Sequence, residues 1–201
     1  IDNCYMQATT TISISGLDYD NDILTNETPT ILYKFTDLGL TLADFSGNAN
    51  GATTAIATGT STIGLTGGTE GYWAFSDSQT AYTDAEIPVK INSYTFELVF
   101  TCNSDGGLCC FRNTQTTSPS AWDHEISINS NGTCRYYYFS RGGRILDSSA
   151  VVNDGNAHHV AVVHRSDNIV EMWIDGLLDA ESANAYSAFP YDGNAFIALG
   201  H

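Results

Sequence analysis

Two carboxyl groups at the right separation would make this chain a candidate for glycoside hydrolysis. Retaining chemistry needs a pair about 5 to 5.5 Å apart and inverting chemistry a pair about 6.5 to 9.5 Å apart. The nearest pair on one predicted strand is Glu171 and Asp175. At about 3.3 Å per residue their backbones stand about 13 Å apart, and Asp175 with Gly176 reads as the start of a turn. No Gly-x-Ser-x-Gly, Cys/His triad pattern or phosphate loop is present, and no residue is assigned a catalytic role. His158 and His159 invite a metal, but neighbours on a strand point to opposite faces and cannot easily share one ion. The run Trp122-Asp123-His124-Glu125 is titratable and aromatic without metal or triad spacing, which suits loop packing or glycan stacking.

Sugar-binding surfaces combine exposed aromatic faces with a few polar groups. The candidates are Trp122, Tyr136 and Tyr138. Alternation puts Tyr136 and Tyr138 on one face and Tyr137 and Phe139 on the other, and core filling is the competing fate for any of them. Trp73 and Trp173 read as core residues. Arg112, Arg135, Arg141 and Arg144 form either a local anion-recognition patch or a dispersed set of surface ion pairs.

The elements that must position these residues are strands. Helical periodicity is nearly absent, and short β-branched and aromatic runs recur between turn residues. In Tyr94 to Cys102, period two places Tyr94, Phe96, Leu98, Phe100 and Cys102 on a core face. The loop 103–107 and the run Leu108 to Asn113 read as the rest of a hairpin. A second hairpin turns at Asn131-Gly132 with type I′ geometry. A third runs from His158 to His164 and from Ile169 to Ile174, closed by Asp175-Gly176. Thr9 to Ile14 reads as a strand, the stretch 46–69 as weak strands joined by turns, and no internal repeat is evident.

The segment Asn153-Asp154-Gly155-Asn156-Ala157-His158-His159-Val160-Ala161-Val162-Val163, continued by Glu171-Met172-Trp173-Ile174-Asp175-Gly176, resembles the "W-H-H-V-A … L-Y-V-D-G" hairpin of laminin-G-like domains. Upstream, Leu32-Tyr33-Lys34-Phe35 and Asp44-Phe45-Ser46-Gly47-Asn48-Ala49-Asn50-Gly51 are similar to that family's opening strand and its loop. Trp73-Ala74-Phe75-Ser76-Asp77 and Tyr94-Thr95-Phe96-Glu97 match two further landmarks in the correct order. Ala157 stands where the family usually has Trp. The resemblance implies an all-β, antiparallel two-sheet β-sandwich of the concanavalin A-like jelly-roll class over residues 31–201, with 1–30 an N-terminal extension or edge strand. The family's usual last strand is not seen after His201, so either the sequence is truncated there or another segment, Thr9 to Ile14 or a neighbouring molecule, is expected to fill that place.

The family often carries calcium. The loop from Asp44 to Asn50 offers suitable oxygen ligands in Asp44, Asn48 and Asn50, since Ca²⁺ takes six to eight oxygens. Turn capping by the same residues is the alternative. The family treats the two histidines as structural. Glycosidases of the class carry a Glu-x-Asp-x-x-Glu cluster on one strand, which this sequence lacks.

Composition narrows the partners. The 201 residues suit one large sandwich, and no apolar run approaches the roughly 20 residues of a membrane helix. A net charge of −16 repels phosphate backbones and anionic lipid, so neither nucleic acid nor membrane insertion is expected. Ile1 opens the chain without Met or a signal pattern, as in a processed product or excised segment. Five cysteines suggest disulfides with one thiol left over, or buried thiols acting as small hydrophobes. Asn26 and Asn131 match glycosylation acceptors. The sequence is therefore read as a non-catalytic binding or adhesion module with a glycan or extracellular protein as partner, sited outside the cell or on a cell or virion surface. The alternative is a structural subunit of a filament, surface layer or virion that contacts copies of itself.

Overall fold

The computed structural model describes residues 4–7, 41–42, 46, 48, 52–56, 62–66, 70–75, 79–83, 86–88, 94–115, 122–138, 144–167, 169–182 and 194–200. For 4–7, 41–42, 52–56, 62–66, 70–75, 79, 87–88, 122–123 and 144 it describes the backbone alone. The elements among these residues are all strands: β1 (Cys4–Gln7), β2 (Thr41–Leu42), β3 (Ala52–Ile56), β4 (Thr62–Thr66), β5 (Glu70–Phe75), β6 (Gln79–Thr83), β7 (Ile87–Pro88), β8 (Tyr94–Cys102), β9 (Gly106–Arg112), β10 (Trp122–Ile128), β11 (Thr133–Tyr138), β12 (Arg144–Val151), β13 (Ala157–His164), β14 (Val170–Ile174), β15 (Leu177–Ser182) and β16 (Asn194–Leu199). They form two antiparallel sheets, the expected β-sandwich. One sheet has seven strands in the order β15-β14-β13-β8-β1-β5-β4. The other has nine, β12-β11-β10-β9-β16-β6-β3-β2 with β7 beside β16.

Period two builds the core. Phe100 and Cys102 of β8, Val160 and Val162 of β13 and Met172 of β14 are each fully buried from one sheet, and Ile126, Cys134, Tyr136 and Tyr138 meet them from the other. Each large apolar side chain so buried contributes about 1.5–3 kcal/mol. Strand β9 is buried on both faces: Phe111 packs 4.7 Å from Phe96 between the sheets, and Cys110 joins Tyr82 and Ala198 in a separate small cluster. Cys109, Cys110 and Cys134 are buried thiols. Burial is the main cause that raises Cys110 to about 11 and Cys134 to about 12, which makes them inert small hydrophobes at neutral pH.

Two expected hairpins are present, β10–β11 and β13–β14, and a third joins β14 to β15. At Asp175-Gly176 both residues have positive φ, 51° and 79°, and Ile174 pairs with Leu177, the two-residue type I′ turn that a Asp-Gly pair favours. At Asn131-Gly132 the turn differs from expectation. Gly132 alone has positive φ, 84°, and Asn131 instead accepts hydrogen bonds from the backbone N–H and hydroxyl of Thr133.

The expected 94–113 hairpin is not formed. Strand β8 lies between β13 and β1 in the seven-stranded sheet, and β9 lies between β10 and β16 in the other. The link 103–105 therefore carries the chain across the sandwich, fastened where Gly155 N–H donates to the Cys102 carbonyl at 3.1 Å. Both strands bury an apolar face, and facing across a core satisfies that pattern as well as lying side by side does.

Thr9 to Ile14 lies outside the described residues, but β1 occupies the interior of the seven-stranded sheet, paired with β5 and β8. Strand β16 is interior to the nine-stranded sheet. The last described strand thus does not lie at an open edge.

Candidate functional site

The alternation that buries Val170, Met172 and Ile174 turns Glu171 and Trp173 outward. On the neighbouring strands it turns His159, Ala161 and Val163 of β13, and Thr95, Glu97 and Val99 of β8, to the same outer face. Register sets Trp173 opposite Ala161 and Ala161 opposite Glu97; the next row is Glu171, Val163 and Thr95. Trp173 is thus a half-buried indole set between the methyl group of Ala161 on β13 and Leu178 on β15. This corrects the core placement read from the sequence: Trp173 shares its face with Glu171, a residue the core would not take.

The indole is held in place. Trp173 Nε1–H donates to Glu171 Oε2 at 2.9 Å, and Arg165 Nη1 donates to Glu171 Oε1 at 2.8 Å while its Nη2 reaches Asp167 Oδ2 at 2.7 Å. Arg165 first, then the indole N–H, holds the Glu171 carboxyl below its ordinary range, so it is ionised in any mildly acidic medium. On the other side of Ala161, His159 Nε2 lies 2.6 Å from Glu97 Oε1. Thr95, Val163 and Arg165 lead from this face into a shallow cleft of about 410 Å³ at the end of the sandwich, completed by Tyr94, His164, Ser166 and Asp167.

Behind the cleft lies a buried chain of polar rings. Tyr94 and Tyr136 hydroxyls are 2.8 Å apart, Tyr136 Oη is 2.9 Å from His164 Nε2, and the Tyr94 and His164 rings stack at 4.4 Å. Burial, with help from His124, pushes His164 down to about 3. A neutral imidazole there fixes the tyrosines and carries no charge to the cleft.

His158 binds two turns together. Its Nδ1 is 2.8 Å from Asp175 Oδ2 and its Nε2 3.0 Å from Asp154 Oδ1, while Asp175 Oδ1 accepts the His159 backbone N–H at 2.8 Å. Burial opposes the charge on His158, but the bonds from Asp175 and Asp154 outweigh it and raise the pKa. The His158-His159 and Asp175-Gly176 landmarks are thus one structural device, as the resemblance implies. Glu171 and Asp175 serve separate tasks, one on the sheet face and one in the turn.

The residues nominated from sequence fare unequally. Tyr136 and Tyr138 are fully buried, and their aromatic faces fill the core, which removes them from any surface that a glycan could reach; the outward member of the run is Tyr137. Trp122 stands opposite Arg112 on β10, and its side chain lies outside the described residues. Asp44 and Asn50 lie outside them too. Asn48 is exposed and donates from its backbone N and its Nδ2 to Ser46 Oγ, at 3.3 and 3.1 Å. Among the described residues no group of three or more His, Cys, Asp or Glu is placed to hold a metal. The arginines form no patch where they are described: Arg112 is buried with Nη1 2.9 Å from Tyr82 Oη, and Arg135 makes a two-point pair with Asp147.

No protein-family model matches the sequence, and no curated protein matches it. Solved structures do resemble the fold. The receptor-binding domain of botulinum neurotoxin D is 12% identical with a TM-score of 0.56, over 86% of this chain and 45% of that one. Domain 4 of AbnA, an extracellular arabinanase of Geobacillus stearothermophilus, in complex with arabinotriose, is 18% identical with a TM-score of 0.52, over 85% and 82%. Domains LG4-5 of the mouse laminin α1 chain are 14% identical with a TM-score of 0.45, over 57% and 30%. The chain therefore spans less than half the length of the toxin domain and of the laminin fragment.

Proposed function

We propose, from the premise that this chain has the concanavalin A-like jelly-roll fold, that it is a non-catalytic extracellular glycan-binding module. Its binding surface is the outer face of the seven-stranded sheet around Trp173. The observation that carries this reading is the pinned, half-buried indole beside Ala161, with Glu171 bonded to its N–H and Glu97 beyond Ala161 in the same row. A pyranose or furanose ring stacks its C–H face on an indole, and fixed carboxylate oxygens accept hydrogen bonds from its hydroxyls. Holding the indole in one rotamer removes an ordering cost at binding. The likeness to domain 4 of AbnA, whose structure holds arabinotriose, supports this reading.

Calcium is a further part of the proposal, resting on the residue types of Asp44, Asn48 and Asn50. A bound ion would stiffen that loop through its oxygens. The test is a glycan array followed by calorimetry on the hits, with and without a chelator, for the native chain and Trp173→Ala. Native binding weakened at least about tenfold in the variant, equivalent to about 1.4 kcal/mol, is the expected result. Binding that ignores the substitution refutes the site, and binding indifferent to chelation removes the calcium.

A second reading, a subunit of a surface assembly, is favoured by exposed apolar side chains at two sheet edges, Val151 on β12 and Leu177 and Leu178 on β15. Light scattering that finds a concentration-dependent dimer, abolished by Leu177→Asp, would support it; a strict monomer would not.

A further inference from the structure

We infer that the face around Trp173 selects neutral glycans and discriminates against those bearing carboxylate or sulfate groups, an inference that rests on the glycan-binding reading above. Glu97 lies in the row of Trp173 and Ala161, Glu171 in the next row, and Glu181 of β15 stands directly opposite Glu171. The arginine of this face, Arg165, already gives one arm to Glu171 and the other to Asp167, and the imidazole of His159 is paired with Glu97. Two-point engagement of this kind fills the guanidinium fork that an anionic sugar would need.

The other arginine side chains described belong to the nine-stranded sheet: Arg112 is buried against Tyr82 and Arg135 is paired with Asp147. An anionic sugar on Trp173 therefore meets three glutamates and a guanidinium that is already committed. A neutral sugar meets the same glutamates as acceptors, and its hydroxyls are the donors that such acceptors require. Arg165 and the indole N–H hold the Glu171 carboxyl low, which keeps that charge in place beside the indole. The −16 net charge of the chain adds long-range repulsion in the same direction.

The experiment uses the full chain on an array in which each neutral oligosaccharide is printed beside its carboxylated or sulfated counterpart, at low and at high salt. The expected result is neutral members bound at least about tenfold more tightly than their charged partners. That ratio should shrink at high salt and in Glu181→Gln, because screening and neutralisation act on the same repulsion. A charged member that binds as tightly as its neutral partner, and loses binding in Trp173→Ala, overturns the charge argument while leaving the site in place. Binding that Trp173→Ala does not weaken overturns the site itself, and the selectivity assigned to it falls with it.

Discussion

His164 makes the fold sensitive to acid in a calculable way. Buried on β13 against Tyr94, Tyr136, Tyr138 and His124, it has a folded pKa of about 3 against an ordinary value of 6.5. The unfolded chain takes up the proton first, so stability is fully present above the ordinary value and is lost as the pH falls through and below it. Between about pH 8 and about pH 5 linkage puts the loss at about 2 kcal/mol. His158 acts in the opposite sense: its raised pKa adds stability as the pH falls. Asp147, Asp154 and Glu171, whose pKa values are lowered, lose their contributions only below the ordinary carboxylate range. Comparing the native chain with His164→Gln cancels these common terms. Urea denaturation followed by tryptophan fluorescence should find the variant less stable at the higher pH, yet about 2 kcal/mol less sensitive to the change. Equal pH dependence of the two proteins would refute the reasoning. So would NMR titration of the native chain showing the His164 ring protonating near its ordinary pKa, a measurement that needs no variant to fold.

Two glycines separate contact from conformation. At Gly132 an added Cβ would collide with the side-chain oxygen of Asn153 and lie 2.9 Å from Val151 Cγ1, whereas at Gly176 it would meet nothing within 4 Å; both have positive φ. Gly132→Ala should cost about 2–4 kcal/mol and Gly176→Ala about 1–2, and equal losses in urea would discredit the contact argument. Asp179 of β15 accepts the backbone N–H groups of Ser149 and Ala150 on the edge strand β12, at 2.5 and 3.1 Å. Asp179→Ala should speed hydrogen exchange at those two amides and destabilise the chain by about 1–3 kcal/mol; unchanged exchange there would mean that the carboxylate does not guard the edge.

Much of the architecture is legible from local pattern. The apolar alternation of Tyr94 to Cys102 names the buried face correctly, and the Asp175-Gly176 turn follows from a dipeptide that tolerates positive φ at both positions. The site was legible in principle as well. Glu171 and Trp173 alternate with Val170, Met172 and Ile174, so the tryptophan had to share a face with a charge. Reading Trp173 as core filler weighed residue type above periodicity. The misplaced tyrosines have a different cause. Alternation separates Tyr136 and Tyr138 from Tyr137, and nothing in the run itself says which face meets water.

By itself the sequence determined what depends on neighbours in the chain: strand periods, tight turns, the hairpins that fold back on themselves, and an excess of acid that disfavours polyanionic partners. Tertiary structure alone decided what depends on residues far apart. Whether 103–105 turns within a sheet or crosses between two rests on which strands flank β8 and β9, because both choices bury the same side chains. The N-terminal strand β1 is interior because β5 and β8 leave a place between them. Trp173 became a candidate binding surface only when β13 set Ala161 beside it and β8 set Glu97 beyond Ala161, since cross-strand register is not written in any one strand.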